Sequence, residues 1–318
     1  YDALDFHAQF VLWQLALYPP GLTPEWIPKA LQSAYDALEV VQFLYRCNLV
    51  EWDKTTKGYG LHDLVHEFAR AQGQAFFEQE AIFRRQQGDV ESTLSTLTWL
   101  VAFYNQQGDV ERAIAAYKEL GALARLIGDT HNEIGALDHI GGLLGHQGRT
   151  MDAIAFHEQA LLQARELDST EWLESSFLQL PPLYEKVGRW EDVVRLHKER
   201  RDRAHQRGDT KKEIDATWDI ARTFDTAKQT PRAIETYEEY LALVRSRATE
   251  KPMSLVFGRL WNLYNQQGNY SQAARYLREY IDAHRTFLEG ESTDLDMTKT
   301  LEDLEAQYHR LLKQAEHS

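Results

Sequence analysis

One cysteine stands among 318 residues, Cys47, so no internal disulfide can form. That suits a reducing compartment, and the cytoplasm is the expected location. Cys47 lies in the apolar stretch VQFLYRCNLV and reads as a buried core thiol. No apolar run approaches the length of a membrane span, and the N-terminus shows no basic, apolar, small-residue progression of a secretory signal. The chain begins at Tyr1 rather than Met, which reads as a piece of something longer. No G-x-x-x-x-G-K-[ST] occurs anywhere, and no strand ending in an acid is placed to hold magnesium. The chain alone is therefore not expected to be an enzyme or to carry a cofactor or metal of its own. Positive charge is also short: 35 Lys and Arg stand against 49 Asp and Glu, a formal net of -14. Such a molecule repels nucleic acid and anionic membrane unless a local patch intervenes.

What the sequence does have is a period. Five blocks of 40 residues run without a gap over 91–130, 131–170, 171–210, 211–250 and 251–290. Gly108, Gly148, Gly188 and Gly268 recur at one turn position, with Lys228 as the exception. Glycine suits a helix end because the chain leaves it through left-handed dihedrals. Five residues later come Ala113, Ala153, Val193, Ala233 and Ala273, small enough for two helices to approach closely. Tyr117, His157, His197, Tyr237 and Leu277 follow at a position that should fill the gap between adjacent units. In the first helix of each block Leu100, Ile140, Leu180, Ile220 and Leu260 recur, each with an apolar residue four further on. That spacing lays an apolar stripe along a helix. Each block is thus a helical hairpin that cannot bury its own face, and neighbours must stack.

The pattern resembles tetratricopeptide repeats, in the stretched variety of about 40 residues. The fold expected is mainly α: a winged-helix module over 1–75, a solenoid of such hairpins over 76–290 whose five repeats from 91 follow one unpaired helix, and a capping helix over 291–318. Leu301, Leu304, Tyr308, Leu311 and Leu312 give that last helix one apolar side. One departure is Pro181-Pro182 inside the first helix of the third block, where proline should kink or shorten the helix.

The first 75 residues hold three apolar helical segments, DFHAQFVLWQLALY, PEWIPKAL and AYDALEVVQFLYRC. A short hairpin, LVEW-DKTTKG-YGL, then leads into a helix beginning near His62. Three helices and a two-stranded wing describe a winged-helix module. Five Lys or Arg against nine Asp or Glu leave these residues little with which to neutralise phosphates, so DNA is not the expected partner.

His62-Asp63-x-x-His66 admits three readings. Two histidines one helical turn apart can share a zinc, but Asp63 is a methylene shorter than the usual glutamate base and no third ligand stands nearby at a supporting spacing. An ordinary helix start, with His62 as cap and His66 solvated, is the second. For the third, Leu61-His62-Asp63 after a wing strand and before LVHEFAR resembles the triplet that closes the winged-helix part of STAND-type signalling ATPases, the NB-ARC group. The resemblance implies that His62 reaches the β-phosphate of ADP bound to an NTPase domain upstream and helps hold the molecule closed, while Asp63, in the first turn, suits the helix dipole and can hold the local backbone. ADP or ATP with magnesium would then belong to the longer protein. An imidazole at a helix N-terminus, beside free backbone N–H groups, is suited to phosphate.

In tetratricopeptide solenoids the inner faces of the first helices form a groove for protein, peptide or small ligands. By that register the positions here include Thr98, Ala102 and Asn105, Asp138, Leu178, Trp218 with Arg222, Asp225, Asn262 and Asn265. Trp218 and Arg222, four apart, pair an aromatic with a guanidinium and form the most promising anchor; a tryptophan on a helix also commonly serves the core. The basic run RLHKERRDRAHQRGDTKK, 195–212, reads as a solvated helix face or as a dock for an acidic partner. The resemblance implies the sensor region of a STAND ATPase. A plain repeat scaffold without nucleotide control is the alternative, and a winged-helix DNA regulator the third.

Overall fold

A computed structural model describes residues 4, 6–16, 37–46, 49–53, 57–61, 63–247, 253–288 and 295–316. The expected helix PEWIPKAL, Cys47 and His62 lie outside them. The chain forms two compact units, Tyr1–Ser176 and Phe177–Ser318.

In the first unit α1 (Phe6–Leu15) and α2 (Ala37–Arg46) precede β1 (Val50–Asp53) and β2 (Gly58–Leu61). The strands pair antiparallel with Val50 opposite Leu61 and Trp52 opposite Tyr59, which is the expected hairpin. Then comes α3 (Asp63–Gln87), a single helix of 25 residues that runs uninterrupted through residue 75. Its aromatic face explains why no linker separates the N-terminal helices from the repeats. Phe76 lies 4.8 Å from Trp13 of α1, while Phe77 packs on Phe10 and, at 5.9 Å in each case, on Trp99 and Phe103. Gly73 makes this approach possible: a Cβ there would come within 2.8 Å of Phe103 and 2.9 Å of Trp13. Ala8, Val11 and Leu12 therefore share one core with Leu97, Leu100, Ala113 and Ala136.

The hairpins follow as α4 (Val90–Gln107) with α5 (Val110–Ile127) and α6 (Thr130–His146) with α7 (Thr150–Glu166). Next is α8 (Thr170–Lys186), in which the division between the units falls. The second unit continues with α9 (Trp190–Arg207), α10 (Thr210–Thr226), α11 (Thr230–Ser246), α12 (Ser254–Gln266), α13 (Tyr270–Leu288) and α14 (Leu295–Glu316). Within each unit successive helices pack as antiparallel hairpins, so the architecture is a tetratricopeptide-like array.

The recurrent Gly-Asp is a complete turn device. Gly108, at φ 69°, ends α4 and its N–H reaches the carbonyl of Asn105, while the Asp109 N–H bonds the carbonyl of Tyr104 at 2.9 Å. Asp109 then turns to the next helix, its carboxylate accepting from the N–H of Arg112. Asp89, Asp129 and Asp209 cap their helices in the same way. A cap of this kind contributes roughly 1 kcal/mol. Lys228, the exception in the pattern, keeps the same turn at φ 59° and carries the strain of a side chain in a left-handed conformation. The five small positions, Ala113, Ala153, Val193, Ala233 and Ala273, are all 0% exposed, as close helix packing requires.

Pro181-Pro182 does not shorten its helix: α8 has 17 residues, as α6 and α7 do. The two prolines withdraw amide donors one turn back, from the carbonyls of residues 177 and 178. Leu180, Leu183 and Tyr184 are buried around them, and each such side chain contributes about 1.5–3 kcal/mol, enough to offset the lost bonds. At the C-terminus Leu311 is buried and Leu301, Leu304 and Tyr308 pack against the core of the second unit. Leu312 stays on the exposed side. No helix among the described residues is long and apolar enough to cross a membrane.

Candidate functional site

The expected site residues fall into three places. His62 lies outside the described residues, and Asp63 is placed only as the first residue of α3. In the second unit Trp218 is half-buried, its ring 5.4 Å from that of Tyr237 and 5.5 Å from that of Tyr240, packed on the core. Arg222 beside it is exposed and donates to Glu185 at 3.3 Å. Asn262 is exposed and donates to the carbonyl of Gly258 one turn back, and Asn265 is half-buried near the end of the same helix. The remaining two, Asn105 and Asp138, belong to the first unit, where a cleft is found.

That cleft has a volume of about 340 Å³. Helix α4 supplies Thr98, Val101, Ala102 and Asn105, a face spaced by four and three residues that the repeat register anticipates. Helix α5 adds Tyr117 and Leu120, α6 adds His131, Asn132, Gly135, Ala136 and His139, and α8 adds Trp172. Four rings thus line it, in two pairs. Tyr117 and His139 stack at 5.0 Å and 22°. The rings of Trp172 and His131 lie 5.1 Å apart, and Trp172 Nε1 donates to His131 Nδ1 at 3.1 Å. Trp172 reaches this place because residue 135 is glycine: a Cβ there would already lie 3.2 Å from the indole.

The polar groups are held as deliberately. Asn105 Nδ2 donates to the Tyr117 hydroxyl at 3.3 Å. Burial raises the Tyr117 hydroxyl above its ordinary value, opposed by that bond. Burial lowers His139, opposed by the charge of Asp138, so at neutral pH the ring is uncharged. Among the described residues no Lys or Arg lines the cleft. Asp138 itself stands behind this wall: His157 Nδ1 donates to one of its oxygens and Ser175 Oγ to the other, each at 2.9 Å. Burial works against its charge, yet the bond and charge of His157 prevail and the carboxyl titrates below its ordinary value. His157 is buried between adjacent repeats of the first unit, and Gly141 makes room for it, since a Cβ would sit 2.7 Å from the imidazole.

His131, His139 and Trp172 are absent from the groove positions that the sequence suggested. The available signal was THNEIGALDHI, where two imidazoles and a glycine fall on one helix face in the block that precedes Trp172. The equivalent gap-filling residue in the next repeat, His197, behaves differently. It is 4% exposed and neither ring nitrogen has a hydrogen-bond partner among the described residues. Burial, with help from Arg200 and Arg222, pushes it down to about 4. Within the basic run around it Arg195 is paired to Asp192, Arg203 to Glu199, and Arg200 lies 3.5 Å from Asp219.

No family model matches this sequence, and no curated protein does. Among solved structures it is similar to BtubC (BKLC) from P. vanneervenii, at 18% identity over 71% of this chain and 94% of that one, with a TM-score of 0.46. It is also similar to a signal transduction ATPase with numerous domains (STAND) with a tetratricopeptide repeat sensor from Pyrococcus horikoshii. That match has 13% identity, 89% of this chain, 51% of the other and a TM-score of 0.41.

Proposed function

We propose that the repeats are a binding module for a protein or peptide ligand, received in the cleft between α4, α5, α6 and the start of α8. The observation that carries this reading is the cleft itself, a recess with oriented amides and rings of the size and mixed polarity that ligand sites have. We further propose that residues 1–75 are a winged-helix module that couples ligand binding to the ADP-bound state of an NTPase domain upstream, as in the STAND group. Two features support the coupling. A β-hairpin leads directly to the His62-Asp63 position, and α3 starts there and ends inside the core of the first repeat. A ligand that favours one packing of α3 over another would shift the equilibrium at its N-terminal end by the same free energy.

The test is made in the protein that carries the NTPase domain. His62→Ala should release ADP faster and raise basal activity, because the phosphate loses one donor. Unchanged ADP retention and activity would remove the nucleotide-sensing role and leave the alternative, a repeat scaffold that joins proteins without nucleotide control.

A further inference from the structure

The rings of the cleft carry a second meaning when set beside the charge around them. Trp172 and Tyr117 supply the aromatic rings of the recess, each with an imidazole packed against it, His131 and His139, and among the described residues no Lys or Arg lines it. Thr98, Asn105 and Asn132 place hydroxyl and amide groups at its edge. The repeats that build it are strongly acidic: residues 91–176 hold thirteen Asp or Glu against five Lys or Arg. Asp138 adds a carboxylate behind His139, each of its oxygens already accepting a hydrogen bond from a neighbouring side chain, which holds its charge in place. An acidic ligand would meet repulsion and no donor of positive charge. An apolar ligand would strand the amides of the rim. A cation is attracted by the ring faces and by the field of the unit together. Among cationic side chains the planar guanidinium stacks on aromatic faces and offers five N–H groups to acceptors at the rim.

We propose that this cleft receives an arginine side chain from a basic segment of a partner protein. The inference rests on the reading of the cleft as a peptide site and supplies its specificity. Attraction by an acidic protein draws basic peptides everywhere, so the role of the rings has to be separated from that of net charge.

The experiment uses the whole chain and three labelled Gly/Ser decapeptides. One carries three arginines, one three citrullines, which keep the shape and remove the charge, and one three phenylalanines. Binding is followed by fluorescence polarisation at about 0.15 M salt. The arginine peptide should bind at least tenfold more tightly than the citrulline peptide. Trp172→Leu, which keeps an apolar body and the net charge, should weaken the arginine peptide at least tenfold with an unchanged melting temperature. Gly135→Ala, which pushes on the indole, should weaken it in the same direction. Citrulline or phenylalanine binding as tightly as arginine, and lost in Trp172→Leu, would overturn the cation preference while keeping the cleft as a peptide site. Arginine binding that survives Trp172→Leu unchanged would overturn the role of the cleft for this ligand. Failure of all three peptides to bind would overturn the peptide-binding reading with it.

Discussion

Replacing His197 by leucine should stabilise the protein, and more so as the pH falls. The imidazole is buried with two nitrogens that lack partners among the described residues, between Arg200 on its own helix and Arg222 on α10. A buried polar group left without a hydrogen bond costs about 1–3 kcal/mol, and leucine has similar volume and already fills the equivalent gap at Leu277. At pH 7 the variant should therefore be more stable by about 1–2 kcal/mol. The pH dependence follows from the depressed value. The folded state takes a proton on His197 only near 4, the unfolded chain near 6.5. Between those limits the unfolded chain binds more protons, so the wild type loses stability as the pH falls through 6.5 and has lost the whole contribution below 4. Over that window the loss amounts to about 3 kcal/mol. Leucine has no proton to gain, so its advantage should widen by roughly 2–3 kcal/mol between pH 7 and pH 4.5. Urea unfolding of both proteins at pH 7, 6, 5 and 4.5, followed by circular dichroism, measures the difference. A difference that stays constant with pH would refute the reasoning, as would a variant clearly less stable at pH 7.

Two neighbouring glycines of α6 should respond oppositely to alanine. Gly141→Ala drives a Cβ into the His157 ring, which its bond to Asp138 holds fast, and should cost about 1–3 kcal/mol; Gly142→Ala meets nothing within 4 Å and should gain up to about 1 kcal/mol in helix propensity. Melting temperatures that move together would contradict the packing described. At Lys228, where φ is 59°, glycine should relieve the left-handed strain and raise stability by about 0.5–1 kcal/mol, measured by the shift in urea midpoint. A fall at that position would mean that the lysine side chain contributes more than its backbone costs.

Much of the array was legible because a repeat states the same packing problem five times. The small positions and the apolar stripe agree in every block and the glycine turn in four of the five, and each answers a constraint that acts within about 40 residues. The exception at Lys228 was visible as a missing glycine, and the structure supplies the cost as a left-handed φ. At Pro181-Pro182 the shortening that local propensity suggests does not occur, because burial of Leu180, Leu183 and Tyr184 keeps the helix at its full length. Of the groove positions, Thr98, Ala102 and Asn105 fall together on the face of α4 that lines the cleft. Trp218 was legible as a large ring at a groove position, but its packing on Tyr237 and Tyr240 depends on two side chains of the next helix.

By itself the sequence determined the period, the hairpin and the turn chemistry, because these rest on residues a few positions apart on one helix or across one turn. It also determined that the array is acidic. Only the tertiary structure decided which rings share a recess. His131 and Trp172 are 41 residues apart yet hydrogen-bonded, with Gly135 leaving the space the indole occupies, and Tyr117 and His139 stack across two helices. It likewise decided that His157 has a carboxylate while His197, at the same register one repeat on, has no partner among the described residues. A repeat fixes where a side chain stands, and the residues that differ between neighbouring repeats fix what it meets there.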